Sequence, residues 1–140
     1  AGDLARRILP APAPLMRYRI VVRAVEAWLF GDKPAFCEEF RVARMYVPDK
    51  PEAMDNPKST MLLALSKSSS RDICHAMVRV GRDGAIRPGP EYNTMLSAFA
   101  EGPWRLKNAA ATTPSLARAH KRLNELARAL KASSLLNSHF

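Results

Sequence analysis

At 140 residues the chain has the length of one domain. Its 47% hydrophobic and 25% charged residues are the balance of an ordinary globular protein, which excludes collagen-like and wholly disordered classes. Lys and Arg total 22 against 13 Asp and Glu, a net charge of +9 that favours a polyanionic partner, nucleic acid above all. The plainer alternatives are a solubilising surface or one that neutralises an acidic partner. No apolar run approaches the roughly 20 residues of a membrane span, and the start "AGDLARRILPAPAPLM" lacks a signal-peptide core, so the expected location is cytoplasmic with no membrane partner. Cys37 and Cys74 lack the spacing of a zinc cluster and read as buried free thiols.

In chain order, residues 1–16 read as a short helical turn followed by "PAPAP", a stiff proline-rich lead-in. "RYRIVVRAV" (17–25) alternates Tyr18, Ile20, Val22 and Ala24 with Arg19, Val21, Arg23 and Val25, the pattern of a strand. A lone strand needs neighbours, and "MVRV" at 77–80 is the only other short β-like piece. From Glu26 the pattern turns helical and stops at Gly31. Asp32 is placed to cap a new helix, with Pro34 in its first turn and Phe36, Cys37 and Phe40 inward. "YVPDKPEAMDNP" (46–57) reads as a loop. Asp55 or Asn56 caps a helix with Pro57 at its first position and Met61, Leu62 and Leu65 on its apolar face. The serines at 66–70 break it, and Ser69 or Ser70 caps "SRDICHAM". "GRDGAIRPGPEY" (81–92) reads as a loop. A helix over 90–101 buries Tyr92, Met95, Leu96 and Phe99, and "GPW" turns the chain. The last helix runs from Thr113-Pro114 to about Ala132, with Leu116, Ala119, Leu123, Leu126, Ala127 and Leu130 at helical spacing and Arg118, Lys121, Arg122, Arg128 and Lys131 elsewhere. This gives an α/β, helix-rich fold: one main strand at about 17–25 followed by several helices, a single domain over 17–132 and a frayed tail at 133–140.

Glu26 stands where the strand pattern ends. Carboxylates at the ends of buried strands are favoured metal or catalytic positions in open α/β sheets. The structural alternative is a first-turn Glu that favourably meets the helix dipole. Lys58 lies in a helix first turn, where cations oppose the dipole, so reaching a phosphate bound there is the functional reading and a solvated lysine the plain one. Arg71 suits forked phosphate contacts, and Arg23 adds a cation on the strand. His75 follows Arg71 on the same helical face but lacks a nucleophile or a second His beside it. The chain contains no Asp-x-Asp pair, P-loop, HExxH, GxSxG or GxGxxG, and Trp28 and Trp104 read as core anchors.

The order "RYRIVVRAVEAWLFGD", "PDKPEAMDNPKSTMLLALSKSSSRDI", "GPEYNTMLSAFAEGPW" and "AAATTPSLARAHKRLNEL" resembles the C-terminal half of bacterial Toprim-like proteins of the OLD-nuclease type, many known only as a domain of unknown function. That family shows an "EAWLLAD" stretch, a "DDPK" helix start, a Ser/Arg turn, a "GP.Y" helix start and a closing "PSL" helix. The likeness covers about residues 3–130 and rests on the order of five motifs, none of them highly specific alone.

The resemblance implies an incomplete Toprim-like fold whose parallel neighbour strands lie before Ala1. It implies a divalent-metal-dependent nuclease acting on nucleic-acid phosphodiesters, inactive in this half alone. The family's glycine-flanked Glu strand and Asp-x-Asp strand, which hold Mg²⁺ or Mn²⁺, have no counterpart here, so no metal is expected for this chain by itself. Glu26 becomes a catalytic and accessory metal residue. Lys58 becomes a catalytic, phosphate-contacting residue, with Arg71 and Arg23 as further nucleic-acid contacts. The implied partners are DNA or RNA and either the N-terminal half or a partner ATPase. The competing readings are a non-catalytic basic domain that binds nucleic acid or docks a partner, and a structural helical domain whose charge serves solubility.

Overall fold

The computed structural model describes residues 25–137, with side chains described to residue 132. The expected lead-in and residues 17–24 of the expected strand, Arg23 included, lie outside the described residues. Val25, placed at the end of that strand by the sequence pattern, is the first residue of a helix.

Seven helices and one hairpin make up the described residues: α1 (Val25–Phe30), α2 (Lys33–Glu39), α3 (Pro57–Ser66), α4 (Arg71–Met77), β1 (Val78–Val80), β2 (Ile86–Pro88), α5 (Tyr92–Glu101), α6 (Leu106–Thr112) and α7 (Pro114–Asn137). A short 3₁₀ turn at Arg44–Tyr46 leads into the expected 46–57 loop, and another at Pro51–Ala53 interrupts it. The fold is therefore helix-rich, and its described sheet is a two-stranded antiparallel one. The chain divides into two compact units, one spanning Val22–Pro114 and one carrying α7 from Ser115 onward.

The core of the first unit is aromatic. Phe36 sits 4.8 Å from Phe30, 4.8 Å from Phe40 and 5.8 Å from Phe99 between ring centroids, and Phe40 and Phe99 are 5.2 Å apart. These contacts are edge-on or tilted, the arrangements that the ring quadrupoles favour, each contributing about 0.5–1.5 kcal/mol beyond area burial. Met61, Leu62 and Leu65 of α3, Met77 of α4 and Leu96 of α5 close around them.

Sequence signals placed α3 and α4 well. Asn56 Oδ1 accepts the Ser59 amide at 3.0 Å, and Ser70 Oγ accepts the Ile73 amide at 3.4 Å. Asp32 behaves differently from its expected role. Its side chain makes no capping bond to α2. It is fully buried and reaches across the chain, where Oδ2 accepts the Arg105 amide at 2.8 Å and Oδ1 accepts Asn108 Nδ2 at 3.2 Å. Asp32 thus serves the start of α6, a helix for which the sequence offered no apolar periodicity. Gly31 makes this approach possible, because a Cβ there would stand 2.9 Å from both Cα and O of Ala109. Thr112 Oγ1 donates to the Gly31 carbonyl at 3.0 Å.

The glycine-rich stretch expected as loop supplies β2. Val78 pairs with Pro88, Arg79 with Arg87 and Val80 with Ile86. Gly84, at φ 76°, completes a three-residue reversal whose ends are tied by the Gly81 amide donating to the Ala85 carbonyl at 2.9 Å. The hairpin packs on α3 through both strands. Helix α7 continues to Asn137, so the expected frayed tail is helical through its first residues.

Candidate functional site

Glu26 occupies the first turn of α1, yet its side chain turns inward and is 8% exposed. Burying a carboxylate is costly unless it gains hydrogen-bond donors. One donor is Tyr92, the first residue of α5, whose hydroxyl reaches Glu26 Oε1 at 3.3 Å. Met61 Sδ of α3 lies 3.5 Å from the same hydroxyl. Burial first, and then the negative charge and hydrogen bond of Glu26, hold the Tyr92 phenol well above its usual range. Tyr92 therefore stays a neutral donor and orients the carboxylate. It is not available as a base.

Lys58, in the first turn of α3, is exposed, and its ammonium lies 5.7 Å from the centroid of the Tyr92 ring. A cation over a ring face is held by the ring quadrupole, by about 0.5–1 kcal/mol at an exposed position. A single tyrosine thus bridges the two residues singled out by sequence. Its hydroxyl holds Glu26 inside, and its ring holds Lys58 at the surface.

The position of Tyr92 follows from the chain just before it. The Gly89 amide donates to the Met77 carbonyl at 2.8 Å and the Glu91 amide to the Ala76 carbonyl at 2.9 Å. A Cβ on Gly89 would collide with the backbone of Ala76, Met77 and Val78, so only glycine lets these segments lie this close. The "GPEY" stretch is a splice that ties α5 to the α4–β1 junction and aims Tyr92 at Glu26.

Arg71 opens α4 and is exposed. No described hydrogen bond, ion pair or ring contact joins it to Glu26, Tyr92 or Lys58. Arg23 lies outside the described residues. His75 is exposed on α4. Trp104 is partly buried and donates from Nε1 to the Trp28 carbonyl at 3.3 Å, which fits the anchoring expected of both tryptophans. Among the described residues no group of three or more His, Cys, Asp or Glu side chains could hold a metal ion. The described residues therefore do not by themselves fit a divalent-cation site. Comparison with protein-family models, with curated proteins and with solved structures finds no match.

Tyr92 is the residue that sequence reasoning left among the core aromatics. The available signal was chemical. A buried tyrosine needs a partner for its hydroxyl, and Glu26 was the acid without an assigned donor.

Proposed function

We propose that this chain forms the phosphate-facing part of a Toprim-like, metal-dependent protein that acts on nucleic-acid phosphodiesters. The observation that supports the reading is the convergence of Glu26 and Lys58 on Tyr92. An inward carboxylate at the hydroxyl and an exposed ammonium over the ring share one tyrosine, joining the "EAWL", "NPK" and "GPEY" motifs in space. In this reading Lys58 contacts a backbone phosphate, and Glu26 contributes one carboxylate to a Mg²⁺ or Mn²⁺ site. The other ligands of that site come from the N-terminal Glu and Asp-x-Asp strands typical of the family. Tyr92 fixes the Glu26 rotamer.

The test is Glu26→Gln in a protein that carries those strands. Gln keeps an acceptor for the Tyr92 hydroxyl and removes the charge that a hard cation requires. Metal-dependent cleavage should fall by roughly 10–100-fold, while folding stability changes by about 0.5–1.5 kcal/mol. Unchanged cleavage with the same small stability loss assigns Glu26 a purely architectural role.

A second reading is a non-catalytic basic module that binds nucleic acid. The observation that favours it is α7, where Arg118, Lys121 and Arg128 lie along the side of the helix opposite Leu116, Ala119 and Leu123, with Arg122 on the flank. Nucleic-acid binding that is indifferent to Lys58→Ala would favour this module.

A further inference from the structure

The hairpin places two arginines directly opposite one another. Arg79 and Arg87 are the central pair of a three-pair register, and both are exposed. Like charges in this position destabilise a strand pair, since the opposed Cβ atoms stand only about 5 Å apart. The turn adds Arg82, also exposed. The inner side of the hairpin is rooted conventionally, with Val78 buried and Ile86 packed against the core. A short, well-rooted ribbon thus projects three arginines into solvent. One acid sits among them. Asp83 takes Arg87 in a two-point pair, with Nη1 3.1 Å from Oδ1 and Nη2 2.5 Å from Oδ2. Arg79 and Arg82 have no such described partner.

We propose that the β1–β2 hairpin is an anchoring element for the phosphodiester backbone of a nucleic-acid strand. Arg79 and Arg82 contact phosphates directly, and Asp83 holds Arg87 in reserve. The guanidinium fork matches phosphate oxygens in pairs, which suits the exposed forks of Arg79 and Arg82 to a strand's backbone. A two-stranded ribbon also has the width that a duplex major groove admits. The location fits, because the hairpin packs on α3, the helix that carries Lys58, and β2 leads through Gly89 to Tyr92. This assignment rests on the proposed reading that nucleic acid is the partner.

The experiment is fluorescence anisotropy of the full chain with a labelled mixed-sequence DNA duplex of about 20 base pairs and with one of its single strands, at about 50 and 200 mM salt. Arg79→Gln with Arg82→Gln should weaken binding by roughly tenfold per arginine at low salt and flatten the salt slope by about 1.8 on duplex or 1.4 on single strand. Asp83→Asn should act in the opposite direction. It keeps an Oδ1 acceptor for the Ala85 amide that Asp83 holds at 3.1 Å. It frees Arg87, so affinity should rise and the slope steepen by about 0.9 on duplex. A folding defect would not raise affinity, so the two variants together separate contact from damage. Binding that is unchanged in the double variant overturns the hairpin assignment alone. No binding by the unaltered chain overturns both the assignment and the reading beneath it. Hairpin-dependent binding to vesicles rich in phosphatidylserine, with none to either nucleic acid, replaces nucleic acid by a membrane surface and also overturns the assignment.

Discussion

Tyr92 makes a single hydroxyl responsible for a buried acid. Its phenol titrates above its usual value near 10 because burial, and then Glu26, disfavour the phenolate. The sign of the linkage follows. A folded-state value above the unfolded one contributes stability that is complete below pH 10 or so, and it is lost as pH rises through the folded value. In an ultraviolet titration near the tyrosinate band, Tyr92 should therefore ionise well above the usual tyrosine range, or only as the chain unfolds in alkali. Tyr92→Phe should remove that late step and cost about 1 kcal/mol in denaturant unfolding. A late step that survives the substitution would remove the basis for the Glu26–Tyr92 contact. At this scale the sequence was partly legible. Glu26 stood out as an acid where the apolar alternation ended, and Lys58 as a cation against the helix dipole. Their shared partner was hidden because 66 residues separate Tyr92 from Glu26 and no local pattern reports a contact of that span.

Elements were legible where their own residues decided them. Asn56 and Ser70 cap α3 and α4 because a short polar side chain satisfies an orphan amide two or three residues on. Elements decided from a distance were not legible. Helix α6 depends on Asp32 from across the chain, and β2 depends on the reversal at Gly84. The end of α2 shows the same effect in reverse. The Arg41 amide reaches the Glu38 carbonyl at 3.4 Å and the Val42 amide the Cys37 carbonyl at 3.1 Å, a Schellman ending. The left-handed residue is Arg41, at φ 53°, where glycine is usual. Outside glycine that conformation costs roughly 1–2 kcal/mol. The Arg41 carbonyl helps to hold it by accepting both the amide and the hydroxyl of Ser69, at 2.9 and 3.2 Å. The serine cluster therefore does more than break a helix, since it locks the end of α2 to the start of α4. Arg41→Gly should keep these backbone bonds and relieve the strain, offset in part by the entropy of a freer unfolded chain. The expected result is a gain of up to about 1 kcal/mol in urea unfolding. A clear loss would show that the arginine side chain itself stabilises the turn.

Over the whole molecule, the net charge of +9 bears on folding and on the nucleic-acid partner proposed above. Cations exceed anions by nine over the chain, and the described ion pairs include Lys33–Asp49, Arg87–Asp83 and Arg122–Glu125. Each of these pairs has at least one well-exposed side chain, and such pairs contribute little individually. Added salt should therefore screen more repulsion than attraction, and the melting temperature of the free chain should hold or rise with ionic strength. A bound polyanion reverses the sign. Ligand at roughly a hundred times its Kd stabilises by about 2.7 kcal/mol, worth several degrees in a chain of this size. That gain rests on counterion release and should shrink as salt increases. On the proposed nucleic-acid reading, melting the chain with and without a DNA duplex at about 50 and 200 mM salt should give two trends of opposite slope that converge at high salt. If the charge serves solubility alone, the duplex adds nothing at low salt, and the two curves coincide throughout.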